Sequence, residues 1–202
     1  FKTYKTLLDK IEIAFNRSSP LFSLAVYDPL DYYTGDPADI EDYEMKKGRS
    51  GNIVSLIRTG FLKRFESSVT SFETSCDRIL RKLLAFQKKH CETPEEIKQL
   101  ASWIDKHDAL LGYSSAKQIE LWGDENDDDE IELFPSELLE RWDYLERDQY
   151  KVDEIICETF NDLDELAVFL EETKKFKPGN DDKLNKLIRM LNSQKFAQKK
   201  VI

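Results

Sequence analysis

The feature that most constrains the fold is a long run of apolar residues at helical spacing near the C-terminal end. Its apolar positions recur every three or four residues over about five turns, the period of one face of an α-helix. These positions are Val152, Ile155, Ile156, Phe160, Leu163, Leu166, Ala167 and Leu170. The run predicts one long helix and makes helices the first expectation for the rest of the chain.

The composition agrees with a helical protein. Only 7 glycines and 6 prolines occur among 202 residues, fewer than the turns of a β-sandwich or β-barrel would need. Charged residues make up 35% of the chain, above the roughly 25% of an average domain, and helices with one wet face account for the excess. We therefore predict an all-α fold, an irregular bundle of about six to eight helices with long loops.

The clearest helix start in the sequence lies at Thr93. Thr93 can cap the helix, Pro94 suits its first position, and Glu96 completes a capping box. This helix is expected to run to about His107, with Ile97 facing inward.

The region before Thr93 predicts a loop followed by two helices. Residues 34–50 include Pro37 and Gly48 among many acids, so a loop is expected there. The next helix covers residues 53–65, where Gly60 is the point at which it could break; Ser67 or Ser68 would then cap a further long helix. The positions expected on the inner face of the 53–65 helix are Ile53, Leu56, Ile57, Gly60, Phe61 and Phe65.

An acidic run at residues 124–130 divides the chain. It does not fit a calcium loop, because the position that requires glycine holds Asp129. We predict an N-terminal helical half with basic helices over residues 1–115, an acidic linker over 116–135, and a C-terminal helical part over 136–202.

The formal net charge of −10 conceals a strong segregation of charge. Residues 46–90 contain 11 lysines and arginines against 3 acids, whereas residues 120–172 contain 3 against 21. Two explanations remain open at this stage. The acidic and basic helices could pair inside the fold, or the basic segment could face nucleic acid, since affinity for phosphate depends on the local field.

No catalytic, cofactor or metal site is predicted. The three cysteines, Cys76, Cys91 and Cys157, are far apart and are expected to be reduced thiols on helices. No GxxxxGK[ST] loop occurs, so this chain has no cradle for ATP phosphates. His90, near a predicted helix end, is expected to act as a capping cation.

No signal peptide precedes Phe1 and no apolar run approaches about 18 residues, so we expect a cytoplasmic protein that does not cross a membrane. Both ends look cut: the chain begins at Phe1, and residues 199–202 resemble the opening of a buried strand. We therefore expect a piece of a longer polypeptide.

Three stretches resemble bacterial SWI/SNF-type superfamily 2 helicases. Residues 52–68, NIVSLIRTGFLKRFESS, resemble the LLKRLESS segment of that family. Residues 142–170 are similar to its long helix. Residues 181–191, with the closing residues 199–202, resemble the helix and first strand that open the second RecA-like lobe.

The resemblance implies a helical region between two ATPase lobes of a DNA translocase. ATP and Mg would bind to parts of the longer protein outside this chain, and the partners would be DNA and the flanking RecA-like lobes. The alternative is an interaction scaffold whose acidic half binds a basic protein partner. The residues predicted to meet DNA phosphates are Arg58, Lys63, Arg64, Arg78, Arg81 and Lys82.

Overall fold

A computed structural model describes residues 2–14, 22–112, 142–176, 185–186 and 189–190. Over these residues the fold is all-α, as predicted, and no strand is present beyond an isolated bridge between two tyrosines. A short helical segment at 108–112 makes a sixth helix beside five longer ones. The longer helices are α1 (Lys2–Ala14), α2 (Tyr43–Ser67), α3 (Val69–His90), α4 (Pro94–Lys106) and α5 (Val152–Thr173).

The centre of the fold is the contact between α3 and α5, onto which α1 also packs. The rings of Phe72 and Phe169 lie 5.8 Å apart across it, and the Gln87 side chain donates to the Ile156 carbonyl at 2.8 Å. Buried residues of α1 to α5 form one continuous core. The two predicted helical parts therefore share a core where they are described. The predicted linker over 116–135 lies outside the described residues, as does most of the helix predicted after residue 180.

The helix caps follow the sequence signals. The Ser68 hydroxyl accepts from the Ser71 amide at 3.0 Å and begins α3. The capping box at the start of α4 is complete, because Thr93 and Glu96 each accept from the other's backbone amide, at 3.2 and 3.0 Å. This helix ends at Lys106, one residue before the predicted end.

The loop predicted over residues 34–50 is wrong from Tyr43 onward. There α2 begins, and it runs for 25 residues through Gly48, Gly51 and Gly60 without a break. A glycine inside a helix costs only about 0.5–1 kcal/mol relative to alanine, which packing elsewhere on the helix can offset. The buried residues that provide this packing are Val54, Phe61 and Phe65.

Some apolar residues do not face the core as predicted. Ile53 and Leu56 of α2 are exposed, and Ile97 of α4 is 52% exposed. The buried side of α2 carries Val54 and Phe61. Apolar residues occur on both sides of this helix, so their spacing in the sequence did not show which side is buried.

The segment between α1 and α2 is irregular, and Pro29 lies in the middle of it. Two 3-10 turns, Ala25–Tyr27 and Pro29–Tyr32, follow one another, and a third turn covers Pro37–Asp39. Leu24 precedes the first turn with a φ of 60°, a left-handed conformation that is uncommon for a branched side chain. This backbone must be held in place by its neighbours.

Candidate nucleic-acid interface

The six basic residues predicted to contact DNA lie on α2 and α3, which meet at Ser68. The structure does not give them equal access to solvent, and solvent access decides whether a cation can reach a phosphate. The exposed members are Lys63, Arg64 and Arg78, the half-buried members are Arg58 and Lys82, and Arg81 is buried.

The exposed members are not engaged with the rest of the fold. Within the described ranges, no hydrogen bond or ion pair holds the side chains of Lys63, Arg64 or Arg78. Over its 25 residues α2 carries six basic side chains and two acidic ones, Glu44 and Glu66, so its surroundings are positive. These cations are available to an anionic partner.

Arg58 instead holds the irregular segment between α1 and α2. Its guanidinium donates to the Phe22 carbonyl at 2.7 Å and to the Ser23 carbonyl at 3.2 Å. Burial lowers the pKa of Arg58, and the nearby charge of Asp162 acts in the opposite direction. Its role as a DNA contact stays a prediction, but its donors already bind backbone oxygens.

Asp162 of α5 binds the backbone amides of the same irregular segment. Its carboxylate accepts from the amides of Ser23 and Leu24 at 2.6 and 2.7 Å, and these bonds fix the left-handed Leu24. Burial raises the pKa of Asp162 to about 7, although these hydrogen bonds act to lower it. The sequence analysis missed Asp162. The available signal was an acid directly between the apolar residues of the α5 run.

The three predicted DNA contacts on α3 also differ in their access to solvent. Arg81 pairs with Asp77 one turn earlier at 3.1 Å, and both side chains are buried. Withdrawing Arg81 from this pair would break a buried ion pair, which is unfavourable. The Lys82 carbonyl accepts from the Trp142 indole at 3.0 Å, so this stretch of α3 is partly covered. Of the three α3 residues, Arg78 alone is exposed to solvent.

His90 at the end of α3 is not the capping cation that was predicted. It is buried and stacks on Phe86 with ring centroids 4.0 Å apart. Its Nε2 accepts from the Leu145 amide at 3.3 Å, so Nδ1 carries the proton and donates to the Phe86 carbonyl at 3.0 Å. Burial lowers the pKa of His90, which favours this neutral form.

Arg147 secures the segment that precedes α5. It donates to the His90 carbonyl at 2.9 Å and to Glu96 at 2.8 Å, and it also pairs with Glu92 and Asp153. Although burial acts to raise it, the hydrogen bonds from Arg147 and from the backbone lower the pKa of Glu96. Part of the acidic charge is thus paired within the fold, whereas Lys63 and Arg64 of α2 are exposed and hold no ion pair among the described residues.

No protein-family model, characterised protein or solved structure matches this chain. Across the part of the chain that the structure covers, no three His, Cys, Asp or Glu side chains are grouped to hold a metal ion. None of the helices in that part has the length and hydropathy to cross a bilayer.

Proposed function

We propose that this chain is the helical spacer between the ATPase lobes of a SWI/SNF-type DNA helicase or translocase. In this proposal, α2 and the first part of α3 contact the DNA backbone without sequence specificity. ATP and Mg would be bound by RecA-like lobes elsewhere in the polypeptide. The observation that carries the DNA contact is the row of exposed cations on α2, with Lys63 and Arg64 inside the segment that carries the resemblance.

The physical basis is the release of counterions from DNA. Each phosphate that a lysine or arginine neutralises contributes about −0.9 to the slope of log K against log salt. Exposed side chains on a helix make such contacts without reading base edges. Of the six predicted residues, Lys63, Arg64 and Arg78 are best placed for them, because their side chains are exposed.

A salt titration tests the proposal. Binding of a fluorescein-labelled 30-bp duplex to the whole chain would be followed by anisotropy at low to moderate KCl. We expect the double variant Lys63→Ala/Arg64→Ala to bind more weakly and to reduce the salt slope by about 2.

The matched control is Lys98→Ala/Lys106→Ala, which removes the same charge from exposed positions of α4. This control should leave the slope of log K against log salt nearly unchanged. The DNA role is refuted if the wild-type chain does not bind duplex at low salt, or if both double variants weaken binding equally.

The alternative, a scaffold that binds a basic protein, rests on α5. No lysine or arginine occurs between Val152 and Thr173, and Glu154 and Glu171 are exposed. A lysine-rich peptide should then bind the chain and lose affinity in Glu154→Gln/Glu171→Gln. An unchanged affinity in that variant argues against the scaffold.

A further inference from the structure

A second feature of α2 is not explained by contact with DNA phosphates. Met45 and Leu56 are 55% and 70% exposed, and Ile53 is 38% exposed, although all three are large and apolar. At 100° per residue Met45 and Leu56 project to the side of α2 opposite Val54 and Phe61, which anchor the helix to the core, and Ile53 projects about 90° from these anchors. We define the outer stripe as Met45, Arg49, Ile53, Leu56 and Gly60, which project within about 80° of one another; Lys63 and Ser67 fall in the same arc at the C-terminal end of α2.

Gly60 has no side chain and leaves a shallow depression in the outer stripe, which we call the low point. A Cβ atom built on Gly60 would meet nothing within 4 Å, and the same is true of Gly48. Neither internal packing nor a left-handed φ therefore explains these glycines, which weaken the helix relative to alanine. A glycine on an exposed helix face lets the backbone of another helix approach closely.

The charges beside the outer stripe have one sign. Lys46 is exposed beside it, Lys63 is exposed within the same arc, and Arg49 belongs to it. The two acids of α2, Glu44 and Glu66, stand at the ends of the helix. A partner that covers the outer stripe should therefore carry acidic residues along its edges.

We propose that the outer stripe of α2 docks an acidic amphipathic helix of a partner protein. The partner's apolar face would cover Met45, Ile53 and Leu56, and its acids would pair with Arg49 and the flanking lysines. DNA alone would leave these apolar side chains in water. A lipid surface would gain nothing from the low point at Gly60. The packing of one helix against another uses both features, since apolar side chains interlock across the contact and a glycine lets the backbones approach closely.

The test uses the whole chain and a synthetic probe. The probe is a fluorescein-labelled 21-residue helical peptide with leucines at i, i+3, i+4 and i+7 and glutamates at the flanking positions. A scrambled peptide of the same composition keeps the charge and removes the apolar face. We expect the patterned peptide to bind and the scrambled peptide to bind at least about tenfold more weakly.

Two variants locate the site. Leu56→Ala removes the most exposed anchor, and Gly60→Leu fills the low point. Each should weaken peptide binding about tenfold. Ile97→Ala removes a comparably exposed apolar residue from α4 and should bind as the wild type does. Circular dichroism should show that all three variants remain folded, because none of these positions is buried.

Three results would overturn the proposal. The peptide could fail to bind, the scrambled peptide could bind equally well, or Leu56→Ala could bind the peptide as the wild type does. Titrations with duplex DNA and with phosphatidylserine vesicles complete the test. If Leu56→Ala weakens binding of either one and leaves the peptide unaffected, the outer stripe has that occupant and the proposal is wrong.

Discussion

The helices α2 and α5 are similar in length but differ sharply in how much of each is buried. Thirteen of the 22 residues of α5 are buried, against three of the 25 residues of α2. No glycine occurs in α5, whereas α2 contains three of the seven in the chain. We infer from this contrast that α5 specifies the fold and that α2 presents a surface. Substitutions in α5 should therefore affect mainly the stability of the fold, and substitutions on the exposed side of α2 should affect mainly binding.

The largest expected effect is on the contact between α3 and α5. Phe169 is fully buried against Phe72, so Phe169→Ala should lower the free energy of unfolding by about 3–5 kcal/mol. Leu56→Ala, an apolar truncation on the outer side of α2, should change it by less than about 0.5 kcal/mol. Urea unfolding of both variants measures the difference. Equal losses would show that α2 contributes to the core as much as α5 does.

The next effect concerns Asp162, through which α5 holds the segment between α1 and α2. Asp162→Ala leaves the buried Leu24 amide and the partly buried Ser23 amide without their acceptor and should cost about 2–3 kcal/mol at pH 5. Asp162→Asn keeps one acceptor oxygen and should cost less. Equal stability of all three proteins in urea would mean that these hydrogen bonds do not hold the left-handed Leu24.

The pH dependence sharpens that test. The pKa of Asp162 is raised from 3.8 to about 7 in the folded chain, so the folded state binds this proton more tightly than the unfolded state. The resulting stability is present below about pH 4 and is lost as pH rises toward 7. The difference in unfolding free energy between the wild type and Asp162→Asn should fall over that range, by at most about 1.4 kcal/mol per pH unit. A difference that rises with pH would contradict the raised pKa.

The smallest effect is a gain in stability. Gly60 has open space around it and no left-handed φ, so Gly60→Ala should raise the free energy of unfolding by about 0.5–1 kcal/mol. Thermal unfolding by circular dichroism measures it. A loss of stability would indicate that the folded chain itself needs glycine at this position, and α2 would then be part of the packed structure.

The same contrast explains what the sequence could predict. In α5 the apolar period and burial coincide, so the helix and its inner face were predicted from residues 152–170 alone. In α2 apolar residues occur on both sides, so the spacing of Ile53 and Leu56 indicated a helix but not which face packs. The glycines and acids before residue 50 concealed its start at Tyr43.

The candidate interface was predictable only in outline. The basic character of residues 46–90 was evident from the sequence, and Lys63, Arg64 and Arg78 are exposed as a DNA contact requires. The internal bonds of Arg58 and the buried pair of Arg81 were not predictable, because they depend on which helices meet. The neutral state of His90 depends in the same way on the segment that packs against the end of α3. The division of the chain at an acidic linker stays a prediction.

Native-state hydrogen exchange tests the contrast between α2 and α5 most directly. We expect the amides of residues 156–170 to exchange only through global unfolding, with opening free energies equal to that of the whole chain. The amides of residues 47–56 should exchange through local opening, at a clearly lower free energy, because little of that half of α2 is buried. Equal protection in both helices would contradict the view that α5 specifies the fold while α2 is held mainly as a surface for a partner.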